Sequence, residues 1–149
     1  MLALLFGAIF VASFAIPAEK QDISGVWKGD AEWHNREFSC AYKGKFILNL
    51  QQNDDKFTGT WQVQVTELTR GPNPAIKEVC FEPGTYPAIN IDGAVSDSNF
   101  WYILSPPLKI KFEGSFANDM MEAIAKDCVN RCPQGAGEIL GSISGHKSD

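Results

Sequence analysis

From Gly25 onward, apolar and polar residues alternate along most of the chain. A period of two marks a β-strand with one buried face. In the first such stretch, about Gly25 to Trp33, Trp27, Gly29, Ala31 and Trp33 share a face, with Lys28, Asp30 and Glu32 opposite. His34 to Ala41 reads as a polar connection. Phe46, Leu48 and Leu50 then point inward, and Lys45, Asn49 and Gln51 outward; Ile47 is an apolar exception on the outer face. Asn53-Asp54-Asp55 is turn chemistry. It leads into Phe57, Gly59, Trp61, Val63 and Val65, which alternate with threonines and glutamines. These two stretches predict the clearest hairpin in the chain.

The pattern weakens from Glu67 to Pro87. Gly71-Pro72-Asn73-Pro74 and Pro83-Gly84 are breakers, and between them Ile76 to Glu82 is expected to form a short strand carrying Cys80. The remainder is a long loop of the kind that serves as a lid or binding loop. Alternation returns with Ile89, Ile91, Gly93 and Val95, turns at Ser96-Asp97-Ser98, and continues through Phe100 to Leu104. That stretch is apolar on both faces, as in a central strand or one covered from outside. After Pro106-Pro107, Leu108, Ile110, Phe112, Gly114 and Phe116 form the next inward face, with Lys109, Lys111, Glu113 and Ser115 outward.

Residues 118–128 admit two readings. Met121, Ile124, Ala125 and Cys128 have helical spacing behind an Asn118 cap, which would make a short helix. Against that, Glu113 to Asn118 parallels Asp92 to Asp97, and the earlier copy leads through a turn into a strand. The strand reading is favoured. A last strand carries Ile139, Gly141 and Ile143.

A triplet of glycine, small residue and large apolar residue recurs at Gly25-Val26-Trp27, Gly59-Thr60-Trp61, Gly93-Ala94-Val95, Gly114-Ser115-Phe116 and Gly141-Ser142-Ile143. In the first copy, valine stands where the others carry a smaller residue. Glycine on a buried strand face lets the strand bend and another backbone approach. Seven or eight strands in sequence order, without a long helical pattern, predict an all-β, up-and-down antiparallel barrel of about eight strands. Closure removes the edges an open meander would expose.

Gly25-Val26-Trp27 resembles the G-x-W that opens a lipocalin's first strand. Phe57-Thr58-Gly59-Thr60-Trp61 resembles an avidin strand of the form F-T-G-T-[YW]. Together these two short segments resemble the calycins, the superfamily of lipocalins, fatty-acid-binding proteins and avidins. The lipocalin T-D-Y triplet is absent, and Lys28-Gly29-Asp30-Ala31 does not match the polar residues with which avidins hold biotin. The resemblance implies a barrel able to hold a small, mostly apolar molecule.

The chain has 149 residues and a net charge of −5. Its acidic balance, without a Lys/Arg cluster, argues against nucleic acid and against an anionic membrane surface as partners. Residues 1–18 are apolar apart from Ser13 and read as a secretory signal peptide, with cleavage after Ala15 or Ala18. An uncleaved membrane anchor is the alternative; the small residues and Pro17 favour cleavage, leaving no stable membrane insertion. The mature chain, 19–149, is then one barrel domain in an extracellular or periplasmic setting. There Cys40, Cys80, Cys128 and Cys132 are expected to form two disulfides, and Cys40–Cys80 with Cys128–Cys132 is the preferred one of three pairings.

Trp27, Trp33, Phe46, Trp61, Tyr102 and Phe112 are the candidate ligand contacts, because they lie on or near the inward face. Such aromatics also fill cores, and an eight-stranded barrel is either packed solid or holds one small ligand. Catalytic chemistry is poorly supported. His34 and His146, the only histidines, fall roughly 30 Å apart if first and last strands pair antiparallel. Asp92 and Glu113 point outward on separate strands. Cys128 and Cys132 lack the further ligands of a zinc site, and no cofactor motif occurs. The leading expectation is non-catalytic binding of a small apolar ligand inside a secreted barrel. The alternative is a protein-interaction module or inhibitor acting through residues 67–87.

Overall fold

A computed structural model describes residues 21–35, 40–71, 80–104, 110–127 and 139–148. They form β1 (Gly25–His34), β2 (Cys40–Asn53), β3 (Lys56–Arg70), β4 (Gly84–Thr85), β5 (Ile89–Ser96), β6 (Asn99–Leu104), β7 (Ile110–Ala117), β8 (Met120–Asp127) and β9 (Ile139–Ser148). Every pairing is antiparallel. β1 pairs with β2 on one side and β9 on the other, while β2 also pairs with β3, so the eight long strands close into an up-and-down barrel. The two-residue β4 adds to the edge of β3 beyond β5.

Three tight turns gather at one end. Asp54, Asp97 and the pair Asn118-Asp119 all have positive φ, which short Asn and Asp side chains tolerate. At 118–119 both central residues are left-handed, as in the turn that best matches strand twist. Ala117 and Met120 therefore pair directly, and residues 120–127 form β8 rather than a helix. The apparent helical spacing of Met121, Ile124 and Ala125 arises because Met121, Ala123 and Ala125 face inward while Ile124 lies on the outer face.

Two other expectations change. β2 starts at Cys40, so Cys40 and Tyr42 extend the inward face beyond Phe46. The strand expected over Ile76 to Glu82 is not formed at 80–82, and the short strand lies at Gly84–Thr85 instead; residues 76–79 are outside the described set. Pro83 cannot donate to a ladder, so pairing begins only after it.

The turn-bearing end is packed solid. Trp27, Leu50, Phe57, Phe100, Phe116 and Met121 are all at most 5 % exposed, and Trp27 meets Phe116 edge-on at 6.2 Å. Ile23, fully buried, plugs this end. Its N–H donates to Gln52 Oε1 at 2.9 Å, and its carbonyl accepts the Trp27 indole N–H at 2.8 Å.

The outer face holds one surprise. Lys111, Glu113 and Lys126 point outward as the alternation requires, yet Lys111 is 3 % and Lys126 8 % exposed. Glu113 takes both ammonium groups, Lys111 Nζ at 2.5 Å and Lys126 Nζ at 2.8 Å. Lys111 also lies over the Trp101 ring, 5.3 Å from its centroid. This covers Trp101 on the outer face of β6, while Ile103 on the same face stays exposed.

Candidate functional site

At the opposite end the barrel is hollow. A cavity of about 870 Å³ opens between the ends of β1, β3, β6 and β8 and the starts of β2, β5, β7 and β9. Its wall is mainly aromatic and branched, from Trp33, Trp61, Val63, Val65, Leu104 and Phe112. Residues 81–87 form part of its rim through Phe81, Tyr86 and Pro87.

Covalent and polar ties hold this rim. Cys40 and Cys80 form a disulfide with a Cα–Cα distance of 5.8 Å. The Phe81 N–H donates to the Tyr42 hydroxyl at 3.2 Å, and the Tyr86 N–H to the Val63 carbonyl at 3.0 Å. Gln62 Nε2 donates to the Tyr86 carbonyl, and Arg70 pairs with Glu82. An unbroken run of ring contacts follows the rim: Trp33 stacks on Tyr42 at 5.0 Å, Tyr42 meets Phe81 at 5.9 Å, and Phe81 meets Tyr86 at 5.2 Å. Tyr42, Phe81 and Tyr86 are absent from the sequence-based set of contacts. Reading the alternation of β2 back from Phe46 finds Tyr42. Pairing Cys80 with Cys40 brings Phe81 to the same place.

The six residues singled out by sequence divide along the barrel axis. Trp33, Trp61 and Phe112 line the cavity. Tyr102 lies in the adjoining core, stacked on Phe112 at 4.8 Å. Trp27 and Phe46 are core residues, each 1 % exposed, and neither borders the cavity. Cys128 and Cys132 lie outside the described residues, as does their expected disulfide.

Two polar atoms stand out in this apolar interior. The Tyr102 hydroxyl and Trp61 Nε1 are both buried, and neither has a hydrogen-bond partner in the structure. Burial pushes the Tyr102 hydroxyl well above the usual tyrosine range, opposed only in part by the Trp61 indole beside it. Tyr102 therefore stays protonated. Among the described residues that line the cavity, the acidic ones are Asp127 and Glu32, the latter on the outer face of β1, and His34 lies beside them at the rim.

The histidine and carboxylate pairs weighed from the sequence do not converge. His146 pairs with Lys28, six residues along β1 from His34, so roughly 20 Å separate the two histidines rather than 30 Å. Asp92 and Glu113 sit opposite Ile103 and Trp101 on either side of β6. Among the described residues, no three His, Cys, Asp or Glu gather as metal ligands do. Compared with protein-family models, with curated proteins and with solved structures, the chain finds no match. Its class is thus defined by its own geometry: a closed eight-stranded antiparallel barrel, filled at one end and hollow at the other.

Proposed function

We propose that the protein is a secreted, non-catalytic binding protein of calycin type that holds a small, mostly apolar molecule in the hollow half of its barrel. The observation that carries this reading is the cavity of about 870 Å³, walled by Trp33, Trp61 and Phe112 beside a fully packed half. Its size falls in the range of small-molecule pockets, and apolar walls favour apolar guests. The apolar leader at residues 1–18 and the Cys40–Cys80 bridge support an oxidising, extracellular setting. Titration of the mature chain with the fluorescent probe N-phenylnaphthylamine tests the reading. Saturable binding at one site, lost in Val63→Trp, is expected. Absence of saturable binding overturns it.

A second reading is favoured by Phe81, which remains 41 % exposed on the rim. It takes the rim as the docking surface for a protein partner, with the barrel as scaffold. Phe81→Ser would then abolish capture of that partner while leaving probe binding intact.

A further inference from the structure

We propose that the guest carries a neutral oxygen acceptor, such as a ketone, ester or ether oxygen, which takes hydrogen bonds from Trp61 and Tyr102. The inference rests on the cavity reading above and adds the chemical class of the ligand. Its basis is a contrast between two indoles inside one barrel. At the packed end, Trp27 Nε1 donates to the Ile23 carbonyl at 2.8 Å. At the hollow end, Trp61 Nε1 and the neighbouring Tyr102 hydroxyl are buried without a partner. Stable cores seldom leave such groups unpaired, so each one calls for an explanation.

The chemistry of the pair fixes what is missing. An indole N–H only donates, whereas a phenol donates and accepts. If Trp61 donates to the Tyr102 oxygen, the Tyr102 hydrogen still lacks an acceptor. If Tyr102 turns away, both hydrogens lack one. In either arrangement the absent partner is an acceptor. It is neutral, because the wall around the pair is mainly apolar, and a charged guest would lose its hydration there. The two donor atoms are screened from solvent, while the Trp61 ring is only half-buried. Engagement therefore takes a shift of that ring as the guest arrives.

Three compounds of similar length separate the outcomes: methyl nonyl ketone, n-dodecane and decanoate. Each displaces N-phenylnaphthylamine from the wild-type chain, Tyr102→Phe and Trp61→Phe. Comparing each compound across proteins cancels its own hydration. The ketone is expected to weaken about tenfold in Tyr102→Phe, with dodecane unchanged, and decanoate to bind wild type more weakly than the ketone. Trp61→Phe removes the other donor and should show the same ketone-selective loss. Equal effects on ketone and dodecane in both variants would overturn the acceptor inference, leave the cavity reading standing, and point to a buried water on the pair. Tighter binding of decanoate would overturn the neutral character. Failure of every compound and of the probe to bind wild type would remove the cavity reading, and this inference with it.

Discussion

Lys147, near the end of the last strand, lies over the Trp27 ring in the first, with Nζ 5.7 Å from the ring centroid. The register explains the meeting, because Trp27 and Lys147 are direct partners across the β1–β9 seam that closes the barrel. Trp27 also bonds the Ile23 carbonyl and packs against Phe116. One side chain thus joins the plug, the seam and the core. Trp27→Ala should cost about 3–5 kcal/mol, read as a shift of the urea midpoint. Lys147→Met, which keeps the aliphatic stem and removes the half-buried cation over the ring, should cost about 1 kcal/mol. Equal losses would contradict this division.

Cys40–Cys80 closes a loop with a sequence separation of 40. Chain entropy alone gives such a bridge about 3–4 kcal/mol. The double variant Cys40→Ser/Cys80→Ser should lose stability on that scale. Because the bridge also ties Phe81 to Tyr42, probe dissociation should quicken in stopped-flow traces. An unchanged off-rate would show that the rim does not control access.

Glu113 gives stability an acid limit. Burial raises its carboxyl, but hydrogen bonds from Lys111 and Lys126, together with their charge, outweigh that effect and hold the pKa at about 2, against 4.5 ordinarily. The folded value lies below the unfolded one, so the contribution is complete above about pH 4.5 and is lost as pH falls toward 2. Its size is on the order of 2–3 kcal/mol. Glu113→Gln should lower stability at neutral pH and flatten the decline between these limits, as measured by urea unfolding across pH.

Gly141 shows what the recurring glycine does. A Cβ there would lie 2.0 Å from the Glu32 carbonyl oxygen and 2.6 Å from Trp33 Cα. Neighbouring backbone occupies the space, so the cavity does not come from this missing side chain. Gly141→Ala should cost about 2 kcal/mol or more and shift the emission of Trp33. A neutral effect in thermal unfolding would contradict the close packing.

The alternation made the barrel legible, because a closed sheet with one core imposes a period of two on every strand. It also put Trp27, Trp33, Phe46, Trp61 and Phe112 on the inner face. It could not show their height along the barrel axis, which depends on register and on the bulges at Lys43/Gly44 and Ala125/Lys126. Hence Trp27 and Trp33, six residues apart on one face, serve opposite ends. Nor does a period of two show cover from outside, so the burial of Lys111 and Lys126 was hidden. The 118–128 stretch was ambiguous because Met121 and Ala125 satisfy both periods; the left-handed Asn118-Asp119 turn decides for the strand.

The four tryptophans provide the most direct test of a barrel filled at one end and hollow at the other. Their indole N–H signals can be followed by NMR while N-phenylnaphthylamine is added to residues 19–149. Signals of Trp33 and Trp61 should move with saturation, while those of Trp27, sealed in the packed end, and Trp101, on the outer face, stay fixed. Four unmoved signals, or a shift centred on Trp27, would contradict the account.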